Sequence, residues 1–205
     1  MRPYPPENIL DYGSAPFVPA PDVWDWVSEQ ILNESGAIHN PDHEHLQHAH
    51  IGFIWAGTPN ARRGRKVIGQ AEEPVFRCGA WQKGRQEQQI IEWFGQIPDF
   101  LITLDAEYCR KCNDTEFAML VEHELSHCAQ AKDPFGAPKF NRDTGAPVFT
   151  LIDHDVSEFI GVVARYGVGD PDGNLAKLIA AANQAPSVGI ANIASACGTC
   201  IRSAA

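Results

Sequence analysis

His123, Glu124 and His127 form a His-Glu-x-x-His pattern inside the stretch 122–128. Residues four apart share one face of a helix, so His123 and His127 can offer two imidazole nitrogens to one metal ion. Zn2+ suits that donor set, and Glu124, projecting beside the ion, is placed to take a proton from a water that the metal makes more acidic. This is the chemistry of metal-assisted hydrolysis, with Glu124 as general base and then general acid. A catalytic zinc takes three protein ligands and keeps one position open. Beyond the motif the next donors are His154 and Glu158, four apart and therefore on one face of a helix opening near Asp153. Either completes a set that zinc accepts, three His or two His and one Glu. Asp153 and Asp155 flank the histidine as carboxylates able to orient its ring.

These side chains need a scaffold. Asn113 with Glu116 three residues later is a helix-start signal, and Phe117, Val121, Leu125 and Cys128 give the motif helix an apolar back. Residues 100–104 are β-branched and aromatic enough to form a strand, and 51–55 and 66–69 read as two more, joined through a basic connection at 61–66. A further strand is predicted near 74–78, helices over 22–34, 86–94 and 174–183, and a small hairpin from 139–142 and 147–151. In the helix predicted from Asp153, Val156, Phe159, Ile160 and Val163 make an apolar stripe opposite His154, Glu158, Gly161 and Arg165. The fold class that follows is α+β and zincin-like: a small twisted sheet backs the motif helix, and a second helix supplies the third metal ligand. Residues 1–20 are a proline-rich extended arm without a regular element, 21–185 a metallopeptidase-like catalytic domain, and 186–205 a small-residue tail.

At 205 residues, 44% hydrophobic and 20% charged, the chain has the make-up of one ordinary globular domain. A net charge of −10 disfavours wholesale binding to nucleic acid, and the run 61–66, the one basic cluster, reads as a solvated hairpin tip or a local phosphate contact. The N-terminus lacks the apolar stretch of a secretory signal and no run approaches a membrane span, so a cytoplasmic protein is expected, in the bacterial host if a phage or prophage encodes it. Two Cys-x-x-Cys pairs, Cys109/Cys112 and Cys197/Cys200, could together hold a second, structural ion, although 84 residues part Cys112 from Cys197. The histidine-rich segment 39–50 reads as solvated or hydrogen-bonded rather than as a metal site of its own.

His-Glu-Leu-Ser-His, the turn-rich stretch after it, the run 154–159 and the segment 162–167 behind that resemble the phage metallopeptidase family. The strand at 49–55 and the segment 66–70 fit the same resemblance, which covers most of residues 20–167. More distantly the pattern is similar to SprT-like zinc proteases, whose third ligand is a histidine opening a later helix; carried over, this implies His154. The segment between His127 and His154 is longer than in those proteins, and Phe159 stands five rather than four residues after the histidine, which keeps Glu158 open. The resemblance implies a zinc peptidase acting on a protein or peptide. Its rivals are a non-catalytic, zinc-stabilised phage interaction protein and a DNA-associated protease like the SprT-like group.

Overall fold

Two apolar runs form the centre of the sheet in the computed structural model, which describes every residue except 12, 63, 157–159, 192–195 and 198–205. Strands β2 (Ile51–Ala56) and β5 (Phe100–Asp105) pair in parallel, Ile51 opposite Phe100 through to Ala56 opposite Asp105. Nearly all their side chains are buried, the pattern of strands covered on both faces. β1 (Phe17–Pro19) lies antiparallel outside β2, so the proline-rich arm ends in an edge strand, where a missing N–H is tolerated. On the far side β4 (Arg65–Glu72) runs antiparallel to β5, and β3 (Asn60–Arg62) folds back on the start of β4. The short β8 (Ala196–Cys197) adds to β4 in parallel. No strand forms at 74–78, where Pro74 offers no N–H and Val75 is exposed.

Helices cover both faces. α2 (Ala80–Phe94) begins earlier than predicted and ends on Gly95 at φ 78°, with Ile90 packed on Ile54 and Leu101. On the other face α1 (Pro21–Val27) runs into a π-helical turn, Ser28–Leu32, instead of one regular helix. Ser28 Oγ bonds the Trp24 carbonyl at 2.9 Å, a local bond that loosens the helical ladder there. α3 (Ala106–Lys111), absent from the sequence reading, is started by Asp105, whose Oδ1 accepts from Tyr108 N at 2.6 Å. α4 (Asp114–Ser126) is the motif helix, and Phe117, Val121 and Leu125 bury its back in a core with Val23, Ile31 and Trp55.

Arg2, 5% exposed, ties the arm to the turn between α3 and α4. Its guanidinium donates to the carbonyls of Cys109 at 2.9 Å and Cys112 at 2.6 Å and pairs with Asp114 at 3.0 Å. The last carbonyls of α3 thus find a cationic partner from the other end of the chain.

The histidine-rich segment folds as a 3₁₀ helix, Pro41–His48, capped by Asn40. His39 bonds the Ile31 carbonyl, His45 bonds the Cys128 carbonyl, and His43 is buried. Burial, with a smaller push from His45, lowers His43 to about 4. An unfolded histidine titrates near 6.5, so between about pH 6.5 and 4 the unfolded chain binds more protons and stability falls as pH falls. Urea denaturation of metal-free protein is expected to lose about 2 kcal/mol from this residue between pH 7 and pH 5. His43→Leu should remove that part of the slope; equal slopes for both proteins would refute it.

Beyond α4, β6 (Cys128–Gln130) pairs with β7 (Phe149–Leu151), and the bridges Lys132–Pro138 and Phe140–Pro147 fold the intervening turns onto themselves. The predicted hairpin is therefore the outer part of a longer one. α5 (Ile160–Tyr166) and α6 (Asn174–Ala182) follow. Among the described residues no helix is long and apolar enough to cross a membrane.

Candidate metal centre

Local chemistry fixes the motif helix before any tertiary contact does. Asn113 Oδ1 accepts from Glu116 N and Glu116 Oε2 accepts from Asn113 N, both at 2.9 Å, the reciprocal cap read from the sequence. Its apolar back sets the roll of the helix, which turns Leu120 and Glu124 toward β4. Glu124 is 0% exposed and lies against Gly69: a Cβ there would stand 2.5 Å from Glu124 Oε1 and 2.9 Å from Leu120 Cδ1. Gly69→Ala is therefore expected to displace the carboxylate. Denaturation should report about 1–3 kcal/mol of lost stability; a variant as stable as wild type would refute the packing role.

His127 caps the end of α4, and the chain passes directly into β6. The β6–β7 ladder extends one step beyond Leu151: Ile152 N donates to the His127 carbonyl at 2.9 Å, while His127 Nδ1 donates to the Ile152 carbonyl at 2.7 Å. A carbonyl only accepts, so Nδ1 carries a proton, and Nε2 is the nitrogen left to offer a lone pair to a metal once its own proton is displaced. Two residues further on, His154 Nε2 stands 3.3 Å from His123 Nε2. One ligating nitrogen from each of His123, His127 and His154 lies within 4.8 Å of the others.

The predicted delivery of His154 by a helix is corrected by this geometry. His154 stands in the connection after β7, and the described part of α5 begins only at Ile160. Pairing of His127 with Ile152 brings the chain to the site, so a strand-like step of two residues suffices. Glu158 lies outside the described residues. Asp153 Oδ1 accepts from His154 N at 2.8 Å, bracing the loop backbone, and the Asp155 carbonyl accepts from Asn174 Nδ2 of α6 at 3.2 Å. The imidazole-orienting acceptor the sequence did not disclose is the Ile152 carbonyl, a backbone atom with no signature in residue type.

A further donor approaches this cluster. Cys197, brought by β8, has its Sγ 3.4 Å from His127 Nε2 and 3.7 Å from Glu124 Oε2. It also forms a ligand-like group with His123 and Glu124. Burial alone would lower His127, but Cys197, the Ile152 carbonyl and Glu124 outweigh it and raise the imidazole to about 8. His154 is lowered, by burial first and then by His123 and His127. Among the described residues Cys109 and Cys112 join no metal-like group with Cys197, and Cys200 lies outside them. Cys109 is fully buried, and the Cys112 thiol accepts from Arg2 at 3.4 Å, so that pair is built into the anchor of the arm.

Two of the donor separations match those of a tetrahedral ion. With metal–nitrogen bonds near 2.0–2.1 Å and a metal–sulfur bond near 2.3 Å, a tetrahedron needs about 3.3 Å between two nitrogens and about 3.6 Å between nitrogen and sulfur. The separations found are 3.3 Å for His123–His154 and 3.4 Å for His127–Cys197. Hydrogen bonding explains either pair alone, but not the convergence of all three imidazoles with a buried carboxylate beside them. A cavity of about 500 Å³ adjoins His154, lined by Asp155, Val156, Asn174, Lys177 and Leu178.

The chain is α+β: a mixed sheet backs a helix that carries two histidines, and a hairpin brings a third beside them, a group that could hold a metal ion. The family is given by comparison: residues 24–183 match the family model described as "Putative phage metallopeptidase", and the chain belongs to that family. No curated protein and no solved structure matches it. All three histidines and Glu124 fall inside the matched region, and Cys197 falls beyond it.

Proposed function

We propose that the chain is a zinc-dependent peptidase of zincin-like type, in which His123, His127 and His154 hold the ion and Glu124 is general base and then acid. The observation that carries this reading is the placement of a fully buried carboxylate beside three converging imidazoles. A bound zinc supplies Lewis acidity, which acidifies a water and polarises a carbonyl. Glu124 takes one proton from that water as its oxygen bonds to the scissile carbonyl carbon. It then returns the proton to the departing nitrogen as the C–N bond breaks, giving a carboxylic acid and an amine. The Ile152 carbonyl holds the His127 ring in its donating tautomer throughout. The cavity beside His154 suits one substrate side chain, apolar against Val156 and Leu178 with Lys177 at its rim. The substrate is a protein or peptide, and if a phage or prophage encodes the chain its site of action would be the cytoplasm of the bacterial host.

The test is metal content together with chelator-sensitive cleavage of an unfolded protein. One zinc per chain, loss of cleavage on chelation and its return with added zinc are expected. A protein that binds zinc yet cleaves nothing on a broad panel, with or without Cys197, would instead be a zinc-stabilised interaction module. The approach of Cys197 Sγ to 3.4 Å from His127 Nε2 favours that second reading, because a structural zinc site is closed by a fourth protein ligand.

A further inference from the structure

β8 brings the Cys197 thiol to 3.4 Å from His127 Nε2. Gly69 of β4 pairs with Leu104 of β5 and also with Cys197, so β8 occupies the edge of β4 that β5 leaves open. That edge runs alongside Glu124, which lies against Gly69. An exposed strand edge beside a reactive site is where an extended peptide would dock through its backbone. Just upstream in sequence, Val188, Gly189 and Ala191 line one cavity with Thr115, Met119 and His123 on α4. Parts of the same C-terminal segment thus lie against both the helix and the strand that frame the site.

We infer that Cys197 is the fourth ligand of the metal held by His123, His127 and His154, and that β8 thereby keeps the peptidase latent by filling both the open coordination position and the β4 edge. This rests on the three-histidine reading above. Ligation needs the thiolate; the thiol proton passes to Glu124, whose Oε2 is 3.7 Å from Sγ, and leaves with solvent. While that thiolate is in place, no water can be presented to Glu124 and no peptide can pair with β4. Displacement of β8 restores both without breaking a covalent bond. The family match ends at residue 183, so the device is an addition to the matched region.

The experiment uses the 205-residue protein, freed of metal and reloaded with Co2+, together with Cys197→Ala and Cys197→Ser. Wild type should show a thiolate-to-cobalt charge-transfer band in the near ultraviolet. Both variants should lose the band while keeping one cobalt per chain. Alkylation of Cys197 by iodoacetamide, followed by peptide mass spectrometry, should be at least tenfold slower in loaded than in metal-free wild type. Zinc-loaded Cys197→Ala should cleave an unfolded protein at least tenfold faster than wild type.

One cobalt per chain without the band in wild type overturns thiolate ligation. Loss of metal from both variants makes the thiol a structural ligand and overturns latency, as does equal cleavage by zinc-loaded wild type and Cys197→Ala. Failure of wild type to bind cobalt at all overturns the three-histidine reading itself, which separates the two failures.

Discussion

Glu124→Gln is expected to keep the metal content of wild type and to lose about 10²–10⁴-fold in turnover, the usual worth of a positioned acid-base group. The amide has the shape of the carboxylate and fits the same space against Gly69, so the backbone of α4 and both its imidazoles should stay in place. What it lacks is the capacity to accept a proton at the water and return it to the leaving nitrogen. The effect should fall on the chemical step, visible in single-turnover cleavage at saturating substrate. Measuring it in wild type and in the Cys197→Ala background separates it from any competition by the thiol. Cleavage by Glu124→Gln at the wild-type rate would remove Glu124 from the mechanism.

The second large effect concerns the ion. Structural zinc sites bind with roughly 10–16 kcal/mol across four ligands, so one ligand is worth about 3–4 kcal/mol, or about 10²–10³-fold in affinity. His154→Ala should weaken zinc by that factor, read by competition with a chromophoric chelator, and turnover should fall with occupancy. His48→Ala is the control, because His48 is exposed at the end of the 3₁₀ segment. Glu158→Ala should bind zinc as wild type does. The reverse outcome, metal lost with Glu158 and kept without His154, would transfer the third ligand to the carboxylate.

What could be read from residues alone was local. The Asn113–Glu116 cap, the apolar back of α4 and the runs that became β2 and β5 depend on neighbours within a few positions, and the structure repeats them. The site depends on distant partners. His154, Val156 and Ile160 carry a helical pattern, but the pairing of His127 with Ile152, 25 positions apart, takes precedence and leaves His154 on a strand-like extension. Cys109-x-x-Cys112 has the spacing of a ligand pair, yet a guanidinium from 107 positions upstream fills its surroundings. Gly69 acquires meaning only because α4 crosses β4 with Glu124 facing it. Cys197 was legible only as half of a Cys-x-x-Cys pair, since nothing in a small-residue tail ties its thiol to a histidine pair 70 positions away.

The reciprocal bonding of His127 and Ile152 would link the long hairpin thermodynamically to any ion that the proposed three-histidine site holds. A ligand that binds only when both ends of the hairpin are zipped stabilises the zipped state by about 1.4 kcal/mol for each tenfold excess over its dissociation constant. On the three-histidine reading, zinc would act as a concentration-dependent clasp on residues 128–152. Amide exchange across that stretch should slow with each decade of added metal, while the parallel pair β2–β5, which takes no part in the clasp, exchanges at a rate set by global unfolding.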